Sequence, residues 1–222
     1  MNLDSENMIF VLREFPEMLE KALSFADNLQ LPKKQIDNIM VVGMGGSGYN
    51  GDLLKVYLKD LKIPINVIKD YTLPSYTNKN TLLFVASYSG NTEEPIAAYR
   101  SAIRRGINMI CISSGGKLEE LAKMNKTPHI LIPKGIQPRL STAYQFVAML
   151  NVLQNLEIIK NQEKDIKLTI KNLKTSAEKI ENAGKDLAKK IKDKIPIIYS
   201  SQEMFCIAEK WKTDINENAK TH

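Results

Sequence analysis

The chain turns from an apolar run to glycine at MVVGMGGSGYNGDLL, residues 40–54. A short stretch that is apolar on both faces, then glycines, then a helical pattern, reads as the strand–turn–helix unit of a covered parallel sheet. Gly43, Gly45 and Gly48 satisfy the dinucleotide pattern G-x-G-x-x-G, and Asp70 lies 22 residues past Gly48, at the end of the next apolar run. That is about where a ribose-binding acid would sit. A motif list therefore offers a nicotinamide or flavin oxidoreductase first.

Outward from that stretch the texture repeats. Short apolar runs occur at 39–44, 65–71, 81–87, 107–113 and 129–133, separated by stretches with helical spacing at 49–61, 92–105 and 117–124. Five strands alternating with helices predict one doubly wound α/β domain with a parallel sheet, backed by a helix from about 141 to 156. Ahead of it, residues 8–28 carry apolar positions at helical spacing interrupted by Pro16, which predicts a kink or two helices. From about 157 a lysine-rich amphipathic helix carries Ile166, Ile170, Leu173, Ala177, Ile180, Leu187 and Ile191 on one stripe. Residues 194–201 then read as a fresh strand and 203–219 as the helix after it. The division predicted is a first domain at 1–156 with its N-terminal helical segment, and a second unit starting within 157–222.

Composition excludes several classes. The chain is 222 residues long, 43% hydrophobic and 25% charged, and no apolar run approaches the roughly 20 residues that span a bilayer. The start, MNLDSENMIF, is acidic rather than basic, so no signal peptide is expected. Cys111 and Cys206, both inside apolar stretches, fit neither a disulfide framework nor a zinc site and point to a reducing cytoplasm. The net charge of +6 is spread evenly along the chain, with acids interspersed among the lysines. No basic block or interleaved aromatic marks a nucleic-acid face.

The second glycine stretch, ASYSGNTEEP at 86–95, decides against a dinucleotide. It places Ser87, Ser89, Gly90, Asn91 and Thr92 just before a helix, beyond the carboxyl end of the third strand. Hydroxyls, free backbone N–H groups and the positive end of a helix dipole suit a terminal phosphate with several oxygens to satisfy. The competing use is helix capping, but one cap needs one hydroxyl. A bridging pyrophosphate needs only the first loop, so the dinucleotide reading leaves the serine loop without a purpose.

At these residues the chain resembles a known family. GMGGSG (43–48), SYSGNTEE (87–94), GIQPRLSTAYQF (135–146) and EKWKTDINENAK (209–220) are similar to the sugar isomerase (SIS) superfamily. The resemblance is closer still to its bifunctional phosphoglucose/phosphomannose isomerases. It implies two SIS domains in a homodimer, a sugar-phosphate substrate and no metal or organic cofactor. By the same resemblance the phosphate site falls on Gly46, Ser47, Ser87, Ser89 and Thr92, a loop arginine on Arg139, and the catalytic glutamate on Glu217.

Moving a proton between C1 and C2 of a sugar phosphate needs a positioned base, the role implied for Glu217. A guanidinium suits the negative charge that develops on the substrate oxygens, the role implied for Arg139. Without the resemblance, Arg139 could be a surface residue and the Asn-Glu-Asn run a helix terminus. His129 opens an apolar strand and reads as structural, and His222 inherits no role. The family's ring-opening histidine and a C-terminal lysine have no counterpart here, so a complete relative is expected to run on for roughly 80–100 residues. The alternative function is a non-catalytic SIS-type regulatory protein that binds a sugar phosphate.

Overall fold

Five apolar runs pair into one parallel sheet in the computed structural model, which describes residues 4–29, 31 and 35–221. Contacts divide the chain into two units, Lys21–Gln162 and Met1–Glu20 with Glu163–His222. Two short helices come first in sequence, α1 (Met8–Arg13) and α2 (Phe15–Ala22). The break falls just before Pro16, which then sits in the first turn of α2 where its missing N–H costs nothing.

In the larger unit the strands are β1 (Asn38–Val42), β2 (Ile65–Ile68), β3 (Thr81–Ala86), β4 (Asn108–Ser113) and β5 (His129–Leu131). Between and after them run α3 (Gly45–Tyr57), α4 (Glu93–Arg105), α5 (Gly116–Met124) and α6 (Thr142–Asn155). The strand order is β2-β1-β3-β4-β5, every pair parallel, with Val41 opposite both Val67 and Phe84. From β1 the chain steps one way to β2, and from β3 it steps the other way to β4 and β5. The order therefore reverses between β1 and β3, and in open α/β sheets the place beyond the strand carboxyl ends at such a reversal is where ligands bind.

The alternation of side chains along each strand divides the core in two. Met40, Val42, Leu83, Val85, Met109 and Cys111 pack with Ala98, Tyr99 and Ala102 of α4 and Leu118 and Ala122 of α5. On the other face Gly51 lets α3 lie against the sheet, since a Cβ there would stand 2.8 Å from the Cβ of Val41. Tyr57 of α3 meets Phe146 of α6 edge-on at 5.5 Å between ring centroids. Central β3 is buried at all six positions, so truncating Phe84 to alanine would cost about 3–5 kcal/mol. Asn151 of α6 donates to the carbonyls of Ala22 and Leu23 at 2.8 and 2.9 Å, which ties the end of α2 to this layer.

The second unit contains the long α7 (Glu163–Ile191) and α8 (Phe205–Asn218). Ile166 and Ile170 are buried, whereas Ile180 is 54% exposed. The apolar stripe is thus covered at its beginning and open further on. Arg13 grips Glu181 with two nitrogens at 2.9 and 3.0 Å, and Lys174 meets Glu17 at 3.0 Å. The Arg13 hydrogen bond, with help from Lys185, holds the Glu181 carboxyl down at about 2.

One expectation needs correcting here. Residues 195–201 form no strand, although the chain is neither helix nor turn there. A strand exists only in a ladder, and this segment pairs with no other among the described residues. Ile195, Ile197 and Tyr199 stand 75, 73 and 88% exposed.

Candidate anion site at the carboxyl edge of the sheet

Two glycine stretches meet beyond the carboxyl ends of β1 and β3. The first is not a separate loop. Ser47 N and Gly48 N donate to the carbonyl of Met44 at 2.9 and 3.2 Å, so Gly45–Gly48 form the opening turn of α3. Their leading N–H groups are therefore helix N-terminal donors. Gly46 is required by close approach: a Cβ there would lie 2.8 Å from the carbonyl oxygen of Pro138 and 3.0 Å from the Cα of Arg139. That contact brings the arginine's backbone against the first turn of α3. Arg139 itself sits in a short 3-10 turn, Pro138–Leu140, and is half-buried.

The second stretch is a tight turn closed from within. Ser87 is 1% exposed; its Oγ accepts the Gly90 N–H at 3.1 Å and donates to Thr92 Oγ1 at 2.9 Å. Gly90 has φ +71°, and a Cβ on it would come within 1.8 Å of the Gly115 carbonyl oxygen. No other residue fits. Asn91 turns away, since its Oδ1 accepts the Lys117 N–H at 2.9 Å in the first turn of α5. Thr92 occupies the N-cap position of α4 but makes no side-chain hydrogen bond to that helix. Ser89 is exposed, and its Oγ accepts a local bond from Asn91 N at 3.2 Å.

The two stretches are joined. The Tyr88 N–H donates to Ser47 Oγ at 3.1 Å, fully buried, so the first turn of α3 and the turn before α4 form one rim. Two helix N-termini are thereby brought side by side, an arrangement that favours a negatively charged ligand. Glu93 and Glu94 lie in the first turn of α4; Glu93 accepts from the Tyr71 hydroxyl at 3.3 Å, and Asp70 accepts from its neighbour's N–H at 2.5 Å. The Glu94 and Glu93 charges, with some desolvation, push the Tyr71 phenol up.

The structure thus gathers Gly46, Ser47, Ser87, Ser89, Thr92 and Arg139 in one unit. Glu217 is not among them; it is an exposed residue near the end of α8, in the other unit. Sequence reasoning undervalued the structural work of Ser87 and passed over Tyr88, whose sole signal was a large aromatic between two serines of a turn. His129 is structural in its geometry, with its Nε2 2.8 Å from Ser113 Oγ and its pKa lowered by burial. Burial pushes the Cys111 thiol up to about 12, which makes it core filling rather than a nucleophile. No cluster of three His, Cys, Asp or Glu able to hold a metal occurs among the described residues. No helix there is long and apolar enough to cross a membrane.

Comparison with known proteins decides the family. The SIS domain matches residues 34–156, more than half of the chain. The chain belongs to the SIS-domain family. A second match, to the bacterial phospho-glucose isomerase C-terminal SIS domain, covers residues 180–222. This SIS-domain chain is 39% identical over 217 residues to the bifunctional phosphoglucose/phosphomannose isomerase of Caldicellulosiruptor bescii, covering 93% of the chain and 64% of that protein. It is 41% identical over 185 residues to the Aquifex aeolicus protein of the same name, covering 82% and 56%. The SIS fold is also seen in the C-terminal domain of glucosamine-fructose-6-phosphate aminotransferase from Francisella tularensis. That likeness has a TM-score of 0.71 at 17% identity, over 95% of this chain and 66% of that one. The chain therefore spans roughly three-fifths of the curated relatives it matches.

Proposed function

We propose that this SIS domain belongs to an aldose–ketose isomerase that interconverts glucose 6-phosphate and mannose 6-phosphate with fructose 6-phosphate through an enediol. The observation that carries the reading is the joined rim at the sheet reversal, where the hydrogen bond from Tyr88 N to Ser47 Oγ brings the starts of α3 and α4 together. The relatives named as phosphoglucose/phosphomannose isomerases support the substrate class.

In this reading the phosphate lies on Gly46, Ser47, Ser87, Ser89 and Thr92, held by backbone N–H groups and hydroxyls. Glu217 is the base that carries a proton between C1 and C2. Arg139 faces the oxygens on which enediolate charge builds, where a fixed guanidinium stabilises the transition state more than the ground state. The chemistry asks for no metal or organic cofactor. Residues 1–156 make the first SIS domain with its N-terminal helical segment, and 157–222 begin a second; the match at 180–222 supports that division. The assembly is a cytoplasmic homodimer, with neither nucleic acid nor membrane as a partner.

Titration calorimetry with fructose 6-phosphate, fructose and NADH tests the site. Fructose 6-phosphate should bind, fructose should bind at least about tenfold more weakly, the scale set by losing charge-assisted hydrogen bonds, and NADH should not bind. Equal affinity for the two sugars would remove the phosphate from the argument.

A further inference from the structure

The close approach of Gly46 to Pro138 and Arg139 gives the arginine's loop one point of contact with the rim, but does not set the path of the loop that leads there. We infer that Tyr88 is the positioning residue that registers the Arg139 loop on the phosphate rim. The inference rests on the proposed sugar-phosphate reading for its ligand, and on geometry alone for the joint itself.

Tyr88 reaches the loops that follow β1, β4 and β5 from its own place after β3. Its N–H donates to Ser47 Oγ at 3.1 Å in the first turn of α3. Its carbonyl accepts both the N–H and the hydroxyl of Ser114, at 2.8 and 2.7 Å, after β4. Its hydroxyl donates to the Pro133 carbonyl at 3.1 Å and accepts the Ile136 N–H at 3.1 Å, after β5. Arg139 lies three residues past Ile136. The residue is 7% exposed and its hydroxyl is bonded on both sides, so the phenol is a fixed strut rather than a swinging group. Burial also pushes its pKa up.

The loop needs such a strut. Residues 133–137 contain Gly135 at φ +101° and belong to no helix or strand. At one end Ile132 N holds to the Ser113 carbonyl at 2.9 Å, and at the other Leu140 N closes the 3-10 turn on Gln137 at 2.9 Å. Between those points both recorded hydrogen bonds of the phenol fall on the loop. Their removal leaves the Gly46 contact intact but frees the path that leads to Arg139.

Tyr88→Phe removes the phenolic oxygen and keeps the ring. Amide hydrogen exchange without ligand should show Ile136 exchanging at least about tenfold faster, with Ser114 and Leu118 unchanged, because opening is local to the loop. Fructose 6-phosphate should bind about 5- to 20-fold more weakly, while inorganic phosphate stays within about twofold, since the rim is untouched. In an Arg139→Gln background the same change should add less than about twofold, the mark of residues acting through one another. Unchanged protection at Ile136, acceleration shared equally by Ser114 and Leu118, or fully additive losses would each overturn the inference. Failure of the unsubstituted chain to bind fructose 6-phosphate overturns the proposed function instead, and the exchange result then decides the inference by itself.

Discussion

Ser89→Ala, set beside Ser87→Ala, separates the proposed contact with phosphate from the structural work of the turn. Ser89 is exposed and its recorded bond is a local one at 3.2 Å, so folding has little to lose. A surface substitution of that kind shifts stability by about 0.5 kcal/mol at most, a degree or two in a domain of this size. A hydrogen bond from a hydroxyl to a charged phosphate is worth about 1.5–3 kcal/mol, which is roughly 10- to 150-fold in Kd for fructose 6-phosphate. Ser87→Ala is the contrasting case. Its Oγ is buried and bonded to both Gly90 N and Thr92 Oγ1. Leaving those groups short should cost about 2 kcal/mol of stability and lower the melting temperature by about 4–8 °C. Calorimetric titration and a thermal melt on both variants read the two effects separately. If Ser89→Ala binds fructose 6-phosphate as well as the unsubstituted chain, the phosphate does not lie on the second turn and the site reading fails.

Other outcomes follow from the same geometry. In a chimera that supplies the remaining third of the Caldicellulosiruptor bescii relative, Glu217→Gln should lower turnover by at least about 10²-fold and abolish solvent deuterium exchange at C1 and C2, with fructose 6-phosphate affinity unchanged. Wild-type exchange in that variant would move the base elsewhere. The His129 pKa is lowered by burial, so the unfolded chain binds this proton more readily than the folded one. Its stabilising contribution is present above the ordinary value of about 6.5 and is lost as pH falls below it; urea melts of His129→Asn should lose that part of the acid slope. The apolar side chains at Ile195, Ile197, Tyr199 and Phe205 should bind a hydrophobic dye or drive self-association. A monodisperse chain that leaves the dye dark would contradict this.

Much of the architecture was legible in the sequence. The positions of β1 to β5 and of the helices between them follow from the period of apolar residues, which is a local property of the chain. The split of the leading helical pattern near Pro16 and the α/β class follow in the same way. Both glycine stretches were legible as turns at strand ends ahead of helices, and the structure places them there. The motifs that resemble the SIS family were readable residue by residue.

What the tertiary structure decided concerns pairing. Nothing local in TLLFVA says that β3 lies beside β1 and not β2, yet that choice creates the reversal at which the two stretches meet. The hydrogen-bonding side chains of Ser87, Ser89, Asn91 and Thr92 were likewise sorted only by their neighbours. Ser87 and Thr92 face each other, Asn91 turns to α5, and Ser89 is left to solvent. Tyr88 became a joint, and residues 194–201, strand-like in pattern, found no ladder. Periodicity is carried by adjacent residues, whereas hydrogen-bond partners and close contacts lie tens of residues apart and exist only once the chain has closed on itself.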